Sequence, residues 1–454
     1  MSLNKNDIIK IEITDISYEG NGVGRYENMA VFVPMTAIGD IINAKIVKVL
    51  SSYAFGIIDS FIEKSSHRIE NDCEVYSKCG GCCLRHISYQ HELDIKSNYA
   101  YQALKRIGGI DINFDEIIPS PQQTEYRNKA QYPVGINEKG EVIIGFYANR
   151  SHRIIDCKCC RLQPIVFSKI IEIIKSFITS KKISVYNENT GKGIVRHIYI
   201  RQASATNEIM VCMVINSQTL PFADELAAML TDKIAEIKSI VLNINQKNTN
   251  VILSSSFKTI YGNDYITDIL CGVRINLSPL SFYQVNHNAA ELLYNTAAKF
   301  AEIDNNDIVL DLYCGTGTIG LSMARQAKQI IGVEIIPDAI KDAKNNANIN
   351  NIDNAEFICD DAYGAAQLLI KRNCMPSVVI LDPPRKGCDY ELINAVAKML
   401  PEKIVYVSCN VATLARDCKI FSEFGYDVKK AQAVDMFPRT HHVECVVLMS
   451  RVEK

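Results

Sequence analysis

Residues 308–318, IVLDLYCGTGT, decide the fold. An apolar run enters a Gly-x-Gly turn at Gly315-Thr316-Gly317 and opens a helical pattern, and the glycines let backbone come close to a ligand. Working outward, QIIGVE, AEFICDDA, SVVILDPP and KIVYVSCN are further short apolar runs alternating with helical stretches. That alternation predicts an α/β, doubly wound, largely parallel sheet with its ligands at the carboxyl ends of the strands. At those ends stand Tyr313, Gly315 and Thr318 on the first strand, Glu334 on the second, Asp361 on the third and Asp382 on the fourth. Glu334 is placed to accept hydrogen bonds from ribose hydroxyls, and Asp361 to receive an adenine amino group. No third glycine fills the register that a pyrophosphate would need.

Upstream of this domain, residues 7–61 alternate apolar and polar positions between Gly and Asn punctuation, the pattern of a small closed barrel of five strands. Next come the cysteines of residues 73–83, a helical stretch from about Tyr89 to Ile107 ended by Gly108-Gly109, and a mixed α and β region. Three domains are expected: 1–62, an OB-like barrel; 63–270, a central mixed α/β domain carrying the cysteines; and 271–454, the doubly wound domain.

The chain has 454 residues, 48% of them hydrophobic and 22% charged, which excludes a disordered or collagen-like protein. Its apolar runs are too short to cross a bilayer, and Lys5, Asp7 and Lys10 interrupt residues 1–20, so neither a membrane span nor a signal peptide is expected. The 16 cysteines are then expected reduced, in the cytoplasm, with clustered ones binding metal or acting in catalysis. Net charge is −2, yet residues 127–201 hold 14 Lys and Arg against 5 Asp and Glu. Such asymmetry is the footprint of a phosphate-backbone binder.

The order of the strand ends resembles the S-adenosylmethionine-dependent methyltransferases, which implies a Rossmann-like domain with that cofactor. Asp382-Pro383-Pro384 is followed by Arg385 where enzymes that methylate exocyclic amines place a stacking aromatic. The fifth strand ends in Cys409, a candidate nucleophile, with Arg416 or Lys386 available to lower its pKa. Residues 408–417, SCNVATLARD, residues 435–444, DMFPRTHHVE, and residues 281–286, SFYQVN, together resemble the RNA (uracil-5-)-methyltransferase family, the TrmA and RumA group. The resemblance implies that Cys409 is the nucleophile, Glu444 the base, and Gln284 a cofactor-binding residue. Val411 and His441 stand where the family usually has Pro and Gly. Residues 20–25, GNGVGR, residues 31–34, VFVP, and Gly39-Asp40 resemble the TRAM module, an OB-like barrel of RNA-modifying enzymes.

Cys73, Cys79 and Cys82 have neither radical-enzyme nor zinc-finger spacing, but thiolate-rich ligation suits an iron–sulfur cluster or zinc. A fourth ligand must come from elsewhere, and Cys157, Cys159 and Cys160 are the choices; Cys83 and His86 are expected to be bystanders. The family's ribosomal-RNA branch implies a [4Fe–4S] cluster on Cys73, Cys79, Cys82 and Cys160, although Arg161 replaces the proline that normally follows. Its transfer-RNA branch resembles the catalytic domain alone. The reading is therefore methylation of 23S ribosomal RNA by a monomer, with the same reaction on transfer RNA, or a non-catalytic ribosome-assembly protein, as alternatives.

Overall fold

A computed structural model describes residues 3–112 and 116–452. Its N-terminal part is a closed five-stranded barrel of strands Ile8–Ile16, Gly22–Tyr26, Met29–Val33, Ile41–Val49 and Tyr53–Glu63, as the alternation predicts. Ile9, Ile11, Ile13, Val31, Ile42 and Ile46 fill its interior.

A central seven-stranded sheet follows, built on Val195–Gln202 and Ile209–Ile215. Residues 209–215, IMVCMVI, are buried throughout because both faces of the sheet are covered. Val211 and Met213 meet helices Ile165–Ser180 and Ala223–Thr231, while Met210 and Cys212 meet the C-terminal core.

The C-terminal sheet has seven strands in the order Ala355–Cys359, Gln329–Glu334, Ile308–Leu312, Val378–Leu381, Lys403–Ser408, Glu444–Arg451, Tyr426–Val434. The first five are parallel, and Glu444–Arg451 runs antiparallel to both neighbours. The chain order reverses between Ile308–Leu312 and Val378–Leu381, which opens a crevice at their carboxyl ends.

Two divisions of the chain differ from the sequence reading. The boundary expected between 270 and 271 falls in a hairpin, Ile266–Leu270 with Val273–Leu277, whose turn residues Cys271 and Gly272 have φ of 48° and 78°. Helix Tyr89–Ala103, assigned by sequence to the central domain, buries Leu93, Ala100 and Ala103 with Val411, Leu414 and Ala415 in the C-terminal core. That helix continues as one π turn, Leu104–Gly108, and stops at Gly109 with φ 68°. Among the described residues, no helix is long and apolar enough to cross a membrane.

Candidate active site

Cys409 follows strand Lys403–Ser408 and precedes helix Val411–Glu423. Asn410 fixes this junction: its Oδ1 accepts from Ala412 N at 3.2 Å, its Nδ2 donates to Arg385 O at 2.9 Å, and its own N–H donates to Ser408 Oγ at 3.1 Å. Ser408 pairs with Cys445 in the antiparallel ladder, so continuing the register sets Cys409 across from Glu444. Burial raises the Cys409 pKa and the charge of Glu444 adds to it, while the Arg385 guanidinium opposes both by charge and hydrogen bond. The helix N-terminus ahead of Cys409 acts in the same direction as Arg385.

Arg385 therefore takes the part expected of Arg416 or Lys386. Arg416 is committed to buried Asp417 at 2.7 Å and to the carbonyls of Lys386 and Cys388. Lys386 faces another cavity. Arg385 NH2 also lies 3.1 Å from His442 Nδ1, and burial lowers the pKa of that imidazole to about 3, so it is neutral. Nothing in residues 382–385 signalled that Arg385, and not its neighbour, would turn toward Cys409.

Glu444 is buried, and burial first, then the charge of Asp382, raises its pKa to about 8. Burial raises Asp382 to about 7. Asp311 also reaches about 7: its Oδ2 accepts from Gly320 N at 2.9 Å, and its buried Oδ1 has no hydrogen-bond partner among the described residues. An unpaired buried carboxylate oxygen beside a glycine turn fits a ligand ammonium group.

The expected cofactor residues fall into two groups. Tyr313, Glu334 and Asp361 line one cavity of about 470 Å³, with Tyr363, which sequence reasoning missed, and Lys386, which it placed at Cys409 instead. Glu334 is held by Gly315 N at 3.2 Å and Ile336 N at 3.0 Å. Asp361 uses Oδ1 to cap helix Ala362–Lys371 through Tyr363 N and Gly364 N. Gln284 and Thr318 instead meet at the hydroxyl of buried Tyr294, near Asp382. Tyr294 carried no sequence signal, being one apolar-face residue of helix His287–Ala301.

The segment carrying Glu444 is clamped from below. Lys96 Nζ, fully buried, donates to Glu92 Oε1 and Asp435 Oδ1, both at 2.7 Å, and to Phe437 O at 3.1 Å. Glu92 Oε1 also accepts from Arg439 N at 2.7 Å, and Tyr126 donates its hydroxyl to Pro438 O at 2.9 Å.

The cysteines gather at a second place. Cys73, Cys79, Cys82, Cys157 and Cys160 line a cavity of about 60 Å³ with Arg85, Arg127 and Gln163. Cys159 is exposed, and Cys83 points away, its Sγ 3.5 Å from His441 Nδ1. His86 lies between the Tyr76 hydroxyl at 2.5 Å and Thr36 O at 3.1 Å. No three Cys, His, Asp or Glu side chains among the described residues are arranged to hold a single metal ion. A thiol-lined void with unpaired buried nitrogens on Arg85 and Arg127 fits a larger, anionic thiolate-bound group.

The basic stretch is not one solvated face. Arg201 is buried with its guanidinium on Ser278 O and Ser281 O, and Arg196 is buried on Asn245 O and Lys247 O. Arg161 and Lys175 pair with Asp72 and Asp156. The local excess of charge thus overstates what is available to phosphates, since two of its arginines bind backbone carbonyls.

Residues 88–452 match the family model described as tRNA (Uracil-5-)-methyltransferase, and residues 3–58 match the TRAM domain. The chain is 45% identical to an uncharacterized RNA methyltransferase of Clostridium acetobutylicum, covering 99% of this chain and 98% of that one. One from Clostridium tetani is 43% identical over 98% and 97% of the two chains. The crystal structure of Pyrococcus abyssi tRNA (uracil-54, C5)-methyltransferase in complex with S-adenosyl-L-homocysteine superposes with a TM-score of 0.76 at 27% identity, covering 97% of this chain and all of that one. With a closed N-terminal barrel, a doubly wound domain and a family match spanning most of its length, the chain belongs to the S-adenosylmethionine-dependent RNA uracil-5-methyltransferases.

Proposed function

We propose that the protein transfers a methyl group to carbon 5 of a uridine in 23S ribosomal RNA, with Cys409 as nucleophile and Glu444 as base. The observation that carries the reading is the coupling of Cys409 to both Glu444 and Arg385 one residue beyond the Ser408–Cys445 ladder pair. Carbon 5 of uracil is too weak a nucleophile by itself. Cys409 Sγ, as thiolate, adds to carbon 6 and creates an enolate, and Arg385 favours the thiolate. Bound S-adenosylmethionine supplies an electrophilic methyl group. The proton left on carbon 5 goes to the Glu444 carboxylate, the carbon 6–sulfur bond breaks, and the thiolate returns. The uracil must leave its stack to reach Cys409.

Tyr313, Gly315, Glu334 and Asp361 would hold the adenosine part of the cofactor, and Gln284, Thr318 and Asp382 its amino-acid end, with Asp311 Oδ1 available to the ammonium group. Cys73, Cys79, Cys82 and Cys160 would hold a [4Fe–4S] cluster, which would then link residues 73–82 to residue 160. Cys157 lines the same cavity and is the competing fourth ligand.

Ribosomal RNA is favoured by the cysteine pattern that the chain shares with that branch. The barrel does not discriminate, because the Pyrococcus abyssi structure spans 97% of this chain and its name states a tRNA uridine. Transfer RNA is therefore the second reading. Mapping 5-methyluridine in both RNAs from cells with and without the gene decides between them: loss from 23S RNA alone is expected, and loss from transfer RNA alone overturns the choice.

A further inference from the structure

The largest of the cavities described, about 580 Å³, lies outside the catalytic crevice, between the barrel and the helical segment 89–108. The barrel contributes Asp15 and Tyr18, and the helix contributes Asp94, Asn98, Tyr99 and Gln102, with Arg106 of the π turn at its edge.

Tyr18 and Tyr99 face each other with ring centroids 5.2 Å apart. Tyr18 also meets His441 edge-on at 5.5 Å, His441 lies 4.0 Å from His442, and His442 contacts Arg385 beside Cys409. A continuous line of flat side chains therefore runs from this cavity to the catalytic cysteine. Gly20 makes the approach of the Tyr18 loop possible: its φ is 79°, and a Cβ there would stand 2.7 Å from Cys83 Sγ and 3.5 Å from His441 Cβ. His441 occupies the position where the family pattern usually has Gly, and without its ring the line would break between Tyr18 and His442.

Aromatic rings in series are the platform on which unpaired RNA bases stack. The chemistry of the cavity selects a base over a phosphate, since two carboxylates repel phosphate while accepting hydrogen bonds from an exocyclic amino group. Asn98 and Gln102 add amide donors and acceptors of the kind that pair with adenine edges. Arg106 at the rim suits the phosphate that follows.

We infer that this cavity is a second nucleotide pocket, which takes an unpaired adenine of the same RNA strand that delivers the target uridine to Cys409. The inference rests on the uridine-methylating reading above. It assigns Tyr18, Tyr99 and His441 to substrate selection, with no part in the reaction.

The probe is the shortest RNA stem-loop that the wild-type protein methylates, with each unpaired adenosine in turn replaced by fluorescent 8-vinyladenosine, which keeps the 6-amino group of adenine. At one position, binding should quench the fluorescence, and Tyr18→Ala and Tyr99→Ala should each abolish that quench and weaken binding about 5- to 100-fold. Tyr18→Phe, which keeps the ring, should behave as wild type. Replacing the adenine at that position by purine riboside, which lacks the amino group, should weaken binding to wild type about 10-fold. Melting temperatures of the variants equal to wild type exclude unfolding as the cause. Wild-type affinity in Tyr18→Ala and Tyr99→Ala, with methylation of the stem-loop intact, overturns the pocket and leaves the reaction standing. A wild-type protein that methylates neither ribosomal nor transfer RNA overturns the reading on which the pocket rests.

Discussion

Two cysteine sites in one chain are built on opposite principles. Cys409 stands alone at a strand end, with a cation, a helix N-terminus and a carboxylate around it. The cysteines near residue 80 face one another, and each raises its neighbours: burial first, then the charges of Cys82, Cys79 and Cys73, together lift Cys160 to about 12. A single guanidinium suffices to help one thiolate. Four thiolates in one small cavity would need a polycation among them, so the proposed roles differ, nucleophile in one place and ligand in the other.

The largest expected effect separates the two sites by chemistry. Cys409→Ala should yield neither methylated RNA nor a covalent adduct. Glu444→Gln should form the adduct, carrying label from the methyl donor, and release product about 10²- to 10⁴-fold more slowly. Denaturing gels with labelled cofactor read both outcomes, and normal turnover by Cys409→Ala would end the distinction.

Substitution in the other site should leave the reacting groups in place. Protein purified without oxygen is expected to be brown, to lose its colour and iron in Cys79→Ser and Cys82→Ser, and to keep both in Cys83→Ser. Iron retained by Cys160→Ser and lost by Cys157→Ser moves the fourth ligand to Cys157; stoichiometric zinc without iron removes the cluster from the comparison.

The two sites are also joined. Cys83 N and Leu84 N both donate to Arg439 O, and Arg439 N donates to Glu92, which Lys96 holds against Asp435. Lys96→Met leaves buried Asp435 without its cation and Glu92 with only the Arg439 guanidinium, 3.6 Å away, and should cost about 3–5 kcal/mol of stability, read from urea unfolding. A loss under 1 kcal/mol would mean that the segment before Glu444 is held by its backbone bonds alone.

Strand ends were legible in the sequence because chemistry there coincides with a change of hydrophobic period, as at Leu312 and Ser408. Lys96 and Glu92 were not, since a charged i, i+4 pair on a helix reads as a solvated face until residues 435–439 are folded onto it. Arg196 and Arg201 misled in the same way: counting charge treats every arginine as exposed, and these two bind carbonyls in the core. The docking of helix Tyr89–Ala103 on the C-terminal domain, far from it in sequence, was beyond any local pattern.

The smallest effect concerns protons in the catalytic site. Burial raises the Glu444 pKa from an ordinary 4.5 to about 8 in the ligand-free protein. The folded state thus binds this proton more tightly than the unfolded state. The stability it contributes is complete below pH 4.5 and is lost as pH rises through about 8. Asp382, raised to about 7, acts in the same direction. Urea midpoints of ligand-free wild type and Glu444→Gln should therefore converge at pH 5, with the variant gaining on wild type toward pH 9. Removing one carboxylate also relieves its neighbour, so Asp382→Asn should flatten the wild-type slope too. If Asp382→Asn abolishes the slope while Glu444→Gln leaves it unchanged, the shared proton resides on Asp382, and Glu444 is already the ionised base before any ligand arrives.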